Sequence, residues 1–251
     1  MSEKVETIKP YGAEGTGKGK EVERMFDNIA PAYDFMNAAM TFGLCRSWRD
    51  TALKAVRSGD FAPERILDIA TGTGDVALRL HDLYPSARVT GLDLSEGMLA
   101  VARKKLDGRE GRELVDFIAG DSLSLPFADN EFDLVTVAYG VRNFSDLGRG
   151  YREMFRVLRP GGRLCVIELS RPVNPVLLAG YRLYSETLIP LTGRLVSRDA
   201  RAYSYLPESI AACPQRDAMT ALMTDAGFSG ARWKSLTFGS VCYYIATKTK
   251  E

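Results

Sequence analysis

Short runs of apolar residues alternate with amphipathic stretches through the middle of the chain. The runs are typical of buried strands, and the stretches place apolar residues at helical spacing. The predicted strands are 66–69, 88–92, 115–118, 133–137 and 164–168, and the predicted helices are 75–81, 95–106 and 147–158. Strands joined by helices pair in parallel, so the pattern predicts a doubly wound α/β sheet with helices on both faces. Ligands bind such sheets at the carboxyl ends of the strands.

The segment before this centre divides into two parts. Residues 1–20 have no periodic apolar pattern and are rich in glycine, lysine and glutamate, so they are predicted to be a flexible arm. Helical spacing begins at Glu21 and ends at Pro31, and a second helix is predicted from about Ser47 to Val56. We therefore expect one domain over 21–251, a length that a single hydrophobic core can serve.

An insertion interrupts the alternation after Pro172. It extends over about 172–210, which is longer than most connections and is typical of a functional segment. The apolar face of its helical part consists of Leu177, Tyr181, Tyr184 and Leu188. The alternation then returns with a predicted helix over 215–226 and predicted strands over 231–236 and 241–247.

Charge and cysteine usage narrow the function classes. The 33 basic residues nearly balance the 32 acidic ones, so no overall field indicates a nucleic-acid partner. The 4 cysteines are scattered without neighbouring histidines, which argues against a metal site or a disulfide framework. No segment has the character of a signal peptide or a membrane span, so we expect a cytoplasmic protein.

The most informative turn is Asp68-Ile-Ala-Thr-Gly72-Thr73-Gly74-Asp75, which lies between the first predicted strand and its helix. Glycines let the backbone approach a ligand closely, and the helix amino terminus offers free N–H groups to a carboxylate. Asp93 follows the second strand, where a carboxylate can hold ribose hydroxyls. The spacing also fits a dinucleotide fingerprint, so the turn alone does not separate NAD from S-adenosylmethionine.

Three further features favour S-adenosylmethionine. Asp68 ends the first strand, where it can anchor the loop and the methionine amino group. Asp121 and Ser122 follow the third strand, where a carboxylate can accept a hydrogen bond from the adenine amino group. Arg159-Pro-Gly-Gly162 makes a sharp turn before the next strand. The series resembles the motifs of class I S-adenosylmethionine methyltransferases, which implies a Rossmann-like seven-stranded sheet whose last strand is antiparallel.

Segments outside the cofactor half narrow this resemblance. They include Phe26-Asp-Asn-Ile-Ala-Pro31, Tyr33-Asp-Phe-Met-Asn37, Gly140-Val-Arg-Asn-Phe-Ser-Asp146, Ile189-Pro-Leu-Thr-Gly193 and Tyr203-Ser-Tyr-Leu-Pro-Glu-Ser-Ile210. In order and spacing, these strings are similar to the ubiquinone/menaquinone C-methyltransferase family of the UbiE/MenG type, from about Glu21 to the end of the chain. The resemblance implies an N-terminal helical segment and a helical lid formed by the insertion.

The resemblance also implies an activity and a set of cofactor contacts. The expected reaction is S-adenosylmethionine-dependent C-methylation of a prenylated quinol, with S-adenosylhomocysteine as the second product. Demethylmenaquinol is favoured as the substrate, and a demethylated benzoquinol or an NAD-linked oxidoreduction is the alternative. The implied contacts are Thr73, Asp93, Asp121 and Ser122, and Gly72 and Gly74 shape the loop.

This chain departs from the family pattern at three positions. After Asn37 the family usually has a serine and a histidine, whereas this chain has Thr41 and Cys45, which puts a histidine-based proton transfer in doubt. His81 is the only histidine, and we expect it to be a solvated surface residue. Tyr139 stands where relatives often have phenylalanine.

The catalytic candidates follow from the chemistry of a quinol. A ring carbon becomes nucleophilic when a ring hydroxyl loses its proton, so the protein must stabilise a phenolate. Arg142 is the leading candidate, and the alternative is a structural salt bridge to Asp146. Arginine is too weakly acidic to serve as a free base, so Asp34, Tyr33 or a water held by Asn143 remains open as the proton acceptor. Tyr33 and Tyr203 can instead face the sulfonium or the ring, or pack in the core.

The insertion suggests how a prenylated substrate reaches the site. Residues 174–188 are predicted to form an apolar lid that guides the prenyl tail, and the alternative is an ordinary helix that covers the core. Arg194, Arg198 and Arg201 are then placed to contact anionic headgroups. This hypothesis adds a peripheral contact with the inner face of the membrane.

Overall fold

The computed structural model describes residues 3–12, 14–188 and 200–249. Seven strands form one sheet in the order β3-β2-β1-β4-β5-β7-β6. The strands are β1 Arg65–Ile69, β2 Arg88–Asp93, β3 Val115–Ala119, β4 Phe132–Ala138, β5 Leu158–Leu169, β6 Ser229–Leu236 and β7 Val241–Thr247. Strands β1 to β5 pair in parallel, whereas β7 runs antiparallel to both of its neighbours. The expected Rossmann-like sheet with an antiparallel last strand is confirmed.

Helices cover both faces of this sheet. They are α1 Glu3–Thr7, α2 Lys18–Ile29, α3 Tyr33–Met40, α4 Leu44–Val56, α5 Asp75–Leu83, α6 Glu96–Leu106, α7 Leu147–Val157, α8 Pro175–Leu183, α9 Ala200–Ala212 and α10 Asp217–Asp225. One buried core joins α4, α5 and α6 to one face, and a second core joins α7 and α10 to the other. Because both faces are covered, the central strands are apolar almost throughout, as in the fully buried run Leu134–Val137.

The order of the strands reverses at β1. Strand β2 lies on one side of β1 and β4 lies on the other, so the connections that leave their carboxyl ends diverge. This divergence opens a crevice at the carboxyl edge of the sheet, the usual ligand site of open α/β folds. The glycine turn that follows β1 therefore lies at the mouth of the crevice.

The first residues differ from the flexible arm that their composition predicted. Val5 of α1 is fully buried, and Lys18 is only 4% exposed. The Lys18 Nζ donates to the Val5 carbonyl at 2.5 Å and to the Arg142 carbonyl at 2.9 Å. The Glu6 carboxylate accepts a hydrogen bond from the Leu147 amide at 2.7 Å. These contacts hold α1 on the domain because each joins the segment to residues distant in sequence.

The insertion after β5 is helical where it is described. Asn174 caps α8 by accepting from the amides of Val176 and Leu177, and a π-helical turn, Tyr184–Leu188, continues the helix. Residues 189–199, with Arg194 and Arg198, lie outside the described residues. Across the described ranges, every helix is too short or too polar to span a bilayer.

Two local features differ from the sequence predictions. Helix α3 occupies Tyr33–Met40, between the two predicted N-terminal helices. His81 is 6% exposed, so the expectation of a solvated surface residue is wrong. Its Nε2 lies 3.1 Å from the Glu110 carbonyl because the 107–114 connection folds over the end of α5. All four cysteines are free thiols in the structure.

Candidate active site

The glycine turn after β1 is anchored from below by a buried carboxylate. Asp68 is 1% exposed, and its two oxygens accept hydrogen bonds from the hydroxyls of Thr71 and Thr136, each at 2.6 Å. Burial raises the pKa of Asp68 to about 6. Gly72 and Gly74 have positive φ angles of 56° and 79°, so this path favours glycine. Asp68 thus anchors the turn, as predicted, and it lines neither of the two cavities described below.

Asp93 ends β2 beside this turn. One of its carboxylate oxygens accepts from the Gly72 amide at 2.8 Å, and the other accepts from the Ser95 amide at 2.9 Å. Burial is the largest influence on this carboxyl group and raises its pKa. Each oxygen retains a second lone pair, so the carboxylate can also accept from two hydroxyls of a ligand.

A cavity of about 340 Å³ lies above the turn at the carboxyl edge of the sheet. Its lining includes Gly72, Asp93, Met98, Asp121, Ser122, Ala138, Gly140, Asn143 and Phe144, together with Lys20 and Val22 of α2. We call it the cofactor cavity. The donor set fits S-adenosylmethionine, because Asp93 suits a ribose diol and the polar residues after β3 suit an adenine edge. The structure therefore brings Gly72, Asp93, Asp121 and Ser122 together as predicted from the sequence.

Thr73 and Asp34 occupy a different place. The Thr73 hydroxyl donates to the Asp34 carboxylate at 2.6 Å, and Lys105 bonds to both residues. Lys105 also pairs with Asp75 at the start of α5. Neither Thr73 nor Asp34 lines either cavity. The Asp34 carboxylate is thus engaged by Thr73 and Lys105 in this structure, and its role as a proton acceptor stays a prediction.

A second cavity of about 360 Å³ adjoins the first and is largely apolar. Its lining includes Met25, Ile29, Met36, Met40, Cys45, Trp48, Leu169, Leu177, Tyr181, Tyr184, Leu206 and Ile210. We call it the apolar cavity. Phe26, Tyr33 and Tyr139 line both cavities and so form the partition between them. Leu177, Tyr181 and Tyr184 all line this cavity, as expected for residues on one face of the insertion, and the side chain of Leu188 lies outside the described residues.

Arg142 lies in the turn Val141–Asn143 that follows β4, and its side chain lines the apolar cavity. Its Nη1 donates to the Glu168 carboxylate at 2.9 Å and to the Tyr139 carbonyl. Burial opposes its charge most strongly, but Glu168 and other neighbours keep the pKa of Arg142 above its ordinary value. Its Nε is buried and has no hydrogen-bond partner among the residues that the structure describes. Arg142 therefore retains one charged donor without a described partner beside this cavity.

The alternative partner predicted for Arg142 is wrong. Asp146 instead caps α7 by accepting from the Arg149 amide at 2.7 Å, and Glu168 at the end of β5 is the ion-pair partner. Sequence reasoning missed Glu168 because the two residues belong to different strand ends. The adjacency of β4 and β5 was the one signal that could have found the pair.

The other residues predicted to take part in catalysis are Tyr33, Asn143 and Tyr203, and they differ in their surroundings. Burial raises the pKa of Tyr33, so it is a neutral phenol at neutral pH and not a base. Asn143 lines the cofactor cavity, and its Oδ1 accepts from the Tyr205 hydroxyl at 3.1 Å. The side chain of Tyr203 lies outside the described residues. Arg49, which sequence reasoning did not single out, lines the apolar cavity and pairs with Asp75 at 2.9 Å.

Comparison with known proteins identifies the family. The model of the ubiE/COQ5 methyltransferase family matches residues 15–248. The chain belongs to the ubiE/COQ5 methyltransferase family. It is 46% identical to a demethylmenaquinone methyltransferase of Bacteroides fragilis over 97% of this chain and 98% of that one. It is 39% identical to a ubiquinone/menaquinone biosynthesis C-methyltransferase UbiE of Geotalea daltonii over 93% of this chain and 98% of that one.

Solved structures agree with this family at the level of the fold. A phosphoethanolamine N-methyltransferase 2 of Haemonchus contortus in complex with S-adenosyl-L-methionine has a TM-score of 0.67 at 16% identity. The match covers 94% of this chain and 61% of that one. Because the ubiE/COQ5 family consists of methyltransferases, the methyl donor is S-adenosylmethionine. The NAD-linked alternative that the glycine turn left open is thereby set aside.

Proposed function

We propose that this protein methylates a ring carbon of a prenylated quinol, and that demethylmenaquinol is its substrate. The observation that carries the proposal is the shared partition. A cavity suited to a nucleoside and an apolar cavity meet at Phe26, Tyr33 and Tyr139. A methyl donor in the first cavity and an aromatic ring in the second would face each other at this point. The names of the relatives favour demethylmenaquinol over other quinols.

The proposed chemistry requires stabilisation of a ring oxygen. S-adenosylmethionine, when bound, supplies an electrophilic methyl group. The quinol loses a hydroxyl proton, and its ring carbon forms a bond to the methyl carbon. The sulfur–methyl bond breaks at the same time, and its electrons remain on the sulfur of the departing S-adenosylhomocysteine. The methylated carbon then loses its own proton, the ring regains aromaticity, and the oxygen takes up a proton again, so that one proton is released in all. We assign to the Arg142 Nε the hydrogen bond to the oxygen that becomes negative, because this buried donor lacks a described partner at the apolar cavity.

The proton acceptor we propose is a water held by Asn143. Asp34 is committed to Lys105 at 2.6 Å and lines neither cavity. Burial keeps Tyr33 protonated because it raises the pKa of the phenol. Asn143 lines the cofactor cavity and accepts a hydrogen bond from Tyr205, which lines the apolar cavity, so a water held by Asn143 can receive a proton from a ring between the two.

The prenyl tail is proposed to leave through the mouth of the apolar cavity. Phe42 and Phe238 line this cavity, yet they are 82% and 78% exposed. Leu44 and Leu177 are exposed beside them. An apolar rim of this kind suits a lipid tail and a membrane surface. The Arg201 guanidinium bonds to the Pro10 carbonyl at 2.7 Å and pairs with Glu208, so the proposal assigns it no headgroup.

A competition assay tests the substrate. Demethylmenaquinol and a demethylated benzoquinol of equal prenyl length are offered together, reduced and under anaerobic conditions, with labelled S-adenosylmethionine. We expect the label to enter the naphthoquinol first, with a higher kcat/KM for that ring. Equal or preferred labelling of the benzoquinol would contradict the proposed substrate and leave C-methylation standing.

A further inference from the structure

The hydroxyl of Tyr139 is a buried polar group in the partition between the two cavities. It has no hydrogen-bond partner among the described residues, although the ring lines both cavities. A buried hydroxyl that makes no hydrogen bond is destabilising unless a ligand supplies an acceptor. Tyr139 lies where the two cavities adjoin, so an acceptor on a ligand bound there is the partner to consider for its hydroxyl.

The backbone of Tyr139 is held in an unusual conformation. Its φ of 58° lies in the left-handed region, which bulky residues rarely adopt. The amide donates to the Ile167 carbonyl at 2.7 Å, and the carbonyl accepts from the Arg142 guanidinium. A Cβ on the following Gly140 would lie 2.6 Å from the Ala70 Cβ, so the next residue packs tightly under the glycine turn. Residues strained in this way cluster at functional sites, where the surroundings fix their direction.

The phenol of Tyr139 is a donor and not a base. Burial is the largest influence on its pKa and raises it far above the ordinary value, while Arg49 acts in the opposite direction. The other groups that face it electrostatically are Cys45, Glu168 and Tyr33. At neutral pH the hydroxyl therefore retains its proton and can donate it to an acceptor oxygen.

We propose that the Tyr139 hydroxyl donates a hydrogen bond to the quinol oxygen beside the carbon that receives the methyl group. This inference rests on the proposed function. The ring carbon that attacks the methyl group must lie at the partition, because the methyl donor is bound on the other side. The oxygen on the neighbouring ring carbon is then the hydrogen-bond acceptor nearest to the Tyr139 hydroxyl. A phenolate oxygen accepts more than one hydrogen bond, so Tyr139 acts together with the Arg142 Nε. This contact makes Tyr139 a further catalytic residue of this chain.

The test replaces only the oxygen atom. In Tyr139→Phe we expect kcat to fall by about a hundredfold, while S-adenosylhomocysteine affinity and the melting temperature stay near wild type. The rising limb of the kcat–pH profile should move to higher pH, because a phenolate with one donor fewer is harder to form. Tyr84→Phe is the matched control, since its hydroxyl is also buried without a described partner and its ring lines neither cavity.

A spectroscopic measurement on wild type and both variants complements the kinetics. In the complex with S-adenosylhomocysteine and quinol, ultraviolet absorbance reports the pKa of the bound quinol. We expect this pKa to be lowered in wild type and in Tyr84→Phe, and to be lowered less in Tyr139→Phe. An unchanged kcat and an unchanged profile in Tyr139→Phe would overturn the inference, and so would a loss confined to cofactor affinity. If wild type methylates no quinol, the proposed function itself fails, which is a separate result.

Discussion

Replacement of Asp93 by alanine is the sharpest test of the cofactor cavity. Its carboxylate accepts from the amides of Gly72 and Ser95 at 2.8 Å and 2.9 Å, and it lines the cavity at the end of β2. With cofactor bound, we expect the same oxygens to accept from two ribose hydroxyls. Each hydrogen bond to a charged group contributes about 1.5–3 kcal/mol. Water replaces part of this interaction, so we expect Asp93→Ala to weaken S-adenosylhomocysteine binding by at least about 2 kcal/mol, or roughly 30-fold.

A second carboxylate provides the control for this variant. Asp133 accepts from the amides of Glu64 and Arg65, both at 2.9 Å, at the opposite edge of the sheet. Asp133→Ala should therefore lower stability in a similar way and leave cofactor affinity unchanged. Isothermal titration calorimetry measures the affinities, and thermal melting confirms that both variants fold. If the folded Asp93→Ala protein binds S-adenosylhomocysteine within twofold of wild type, the assignment of the ribose site is refuted.

Three further predictions concern the positive charge of Arg142, the buried carboxyl group of Asp68 and the prenyl tail of the substrate. Arg142→Lys keeps the positive charge but lacks the planar guanidinium, so we expect kcat to fall about a hundredfold while S-adenosylhomocysteine affinity stays normal. Lower stability with normal turnover would instead show that Arg142 serves only as the ion-pair partner of Glu168. Asp68 has a pKa of about 6 in the folded protein against 3.8 in the unfolded chain, so its contribution to stability is greatest below pH 4 and is lost as the pH rises through 6. Urea titrations of the cofactor-free wild type should therefore show the free energy of unfolding falling by about 3 kcal/mol over this range, and Asp68→Asn should abolish that fall. An unaltered pH dependence in the variant would count against the raised pKa. The double variant Phe42→Ser, Phe238→Ser should raise KM about tenfold for a long-tailed quinol and leave KM for a tailless analogue unchanged. An equal rise in KM for both substrates would contradict the proposed path of the prenyl tail.

Local patterns in the sequence were sufficient to predict the sheet and the turns at its edge. Apolar runs between helical stretches identified β1 to β5, because buried parallel strands are apolar on both faces. The return of the alternation after the insertion identified the two antiparallel strands, β6 and β7. The glycine turn and Asp93 were predictable because glycine spacing and a carboxylate at a strand end are local signals. These local features were sufficient to predict where the cofactor cavity lies in the fold.

Contacts between distant residues could not be predicted in this way. Lys18 is buried against the carbonyls of Val5 and Arg142, yet its surroundings in sequence are typical of a flexible segment. Glu168 was visible only as a residue of the fifth strand, and its pairing with Arg142 depends on the adjacency of β4 and β5. Burial of His81 likewise follows from the packing of a connection over α5. Such pairings depend on tertiary packing and have no local periodicity.

The position of the transferred methyl group tests the central claim most directly. The protein is incubated with demethylmenaquinol and S-adenosylmethionine that is ¹³C-labelled in its methyl group, under reducing and anaerobic conditions. Nuclear magnetic resonance and mass spectrometry then locate the label in the isolated product. C-methylation predicts a single labelled methyl group on the ring carbon beside an oxygen-bearing carbon, with both hydroxyls still free. A labelled methoxy group, or no labelled quinol from protein shown to bind S-adenosylhomocysteine, would contradict the account.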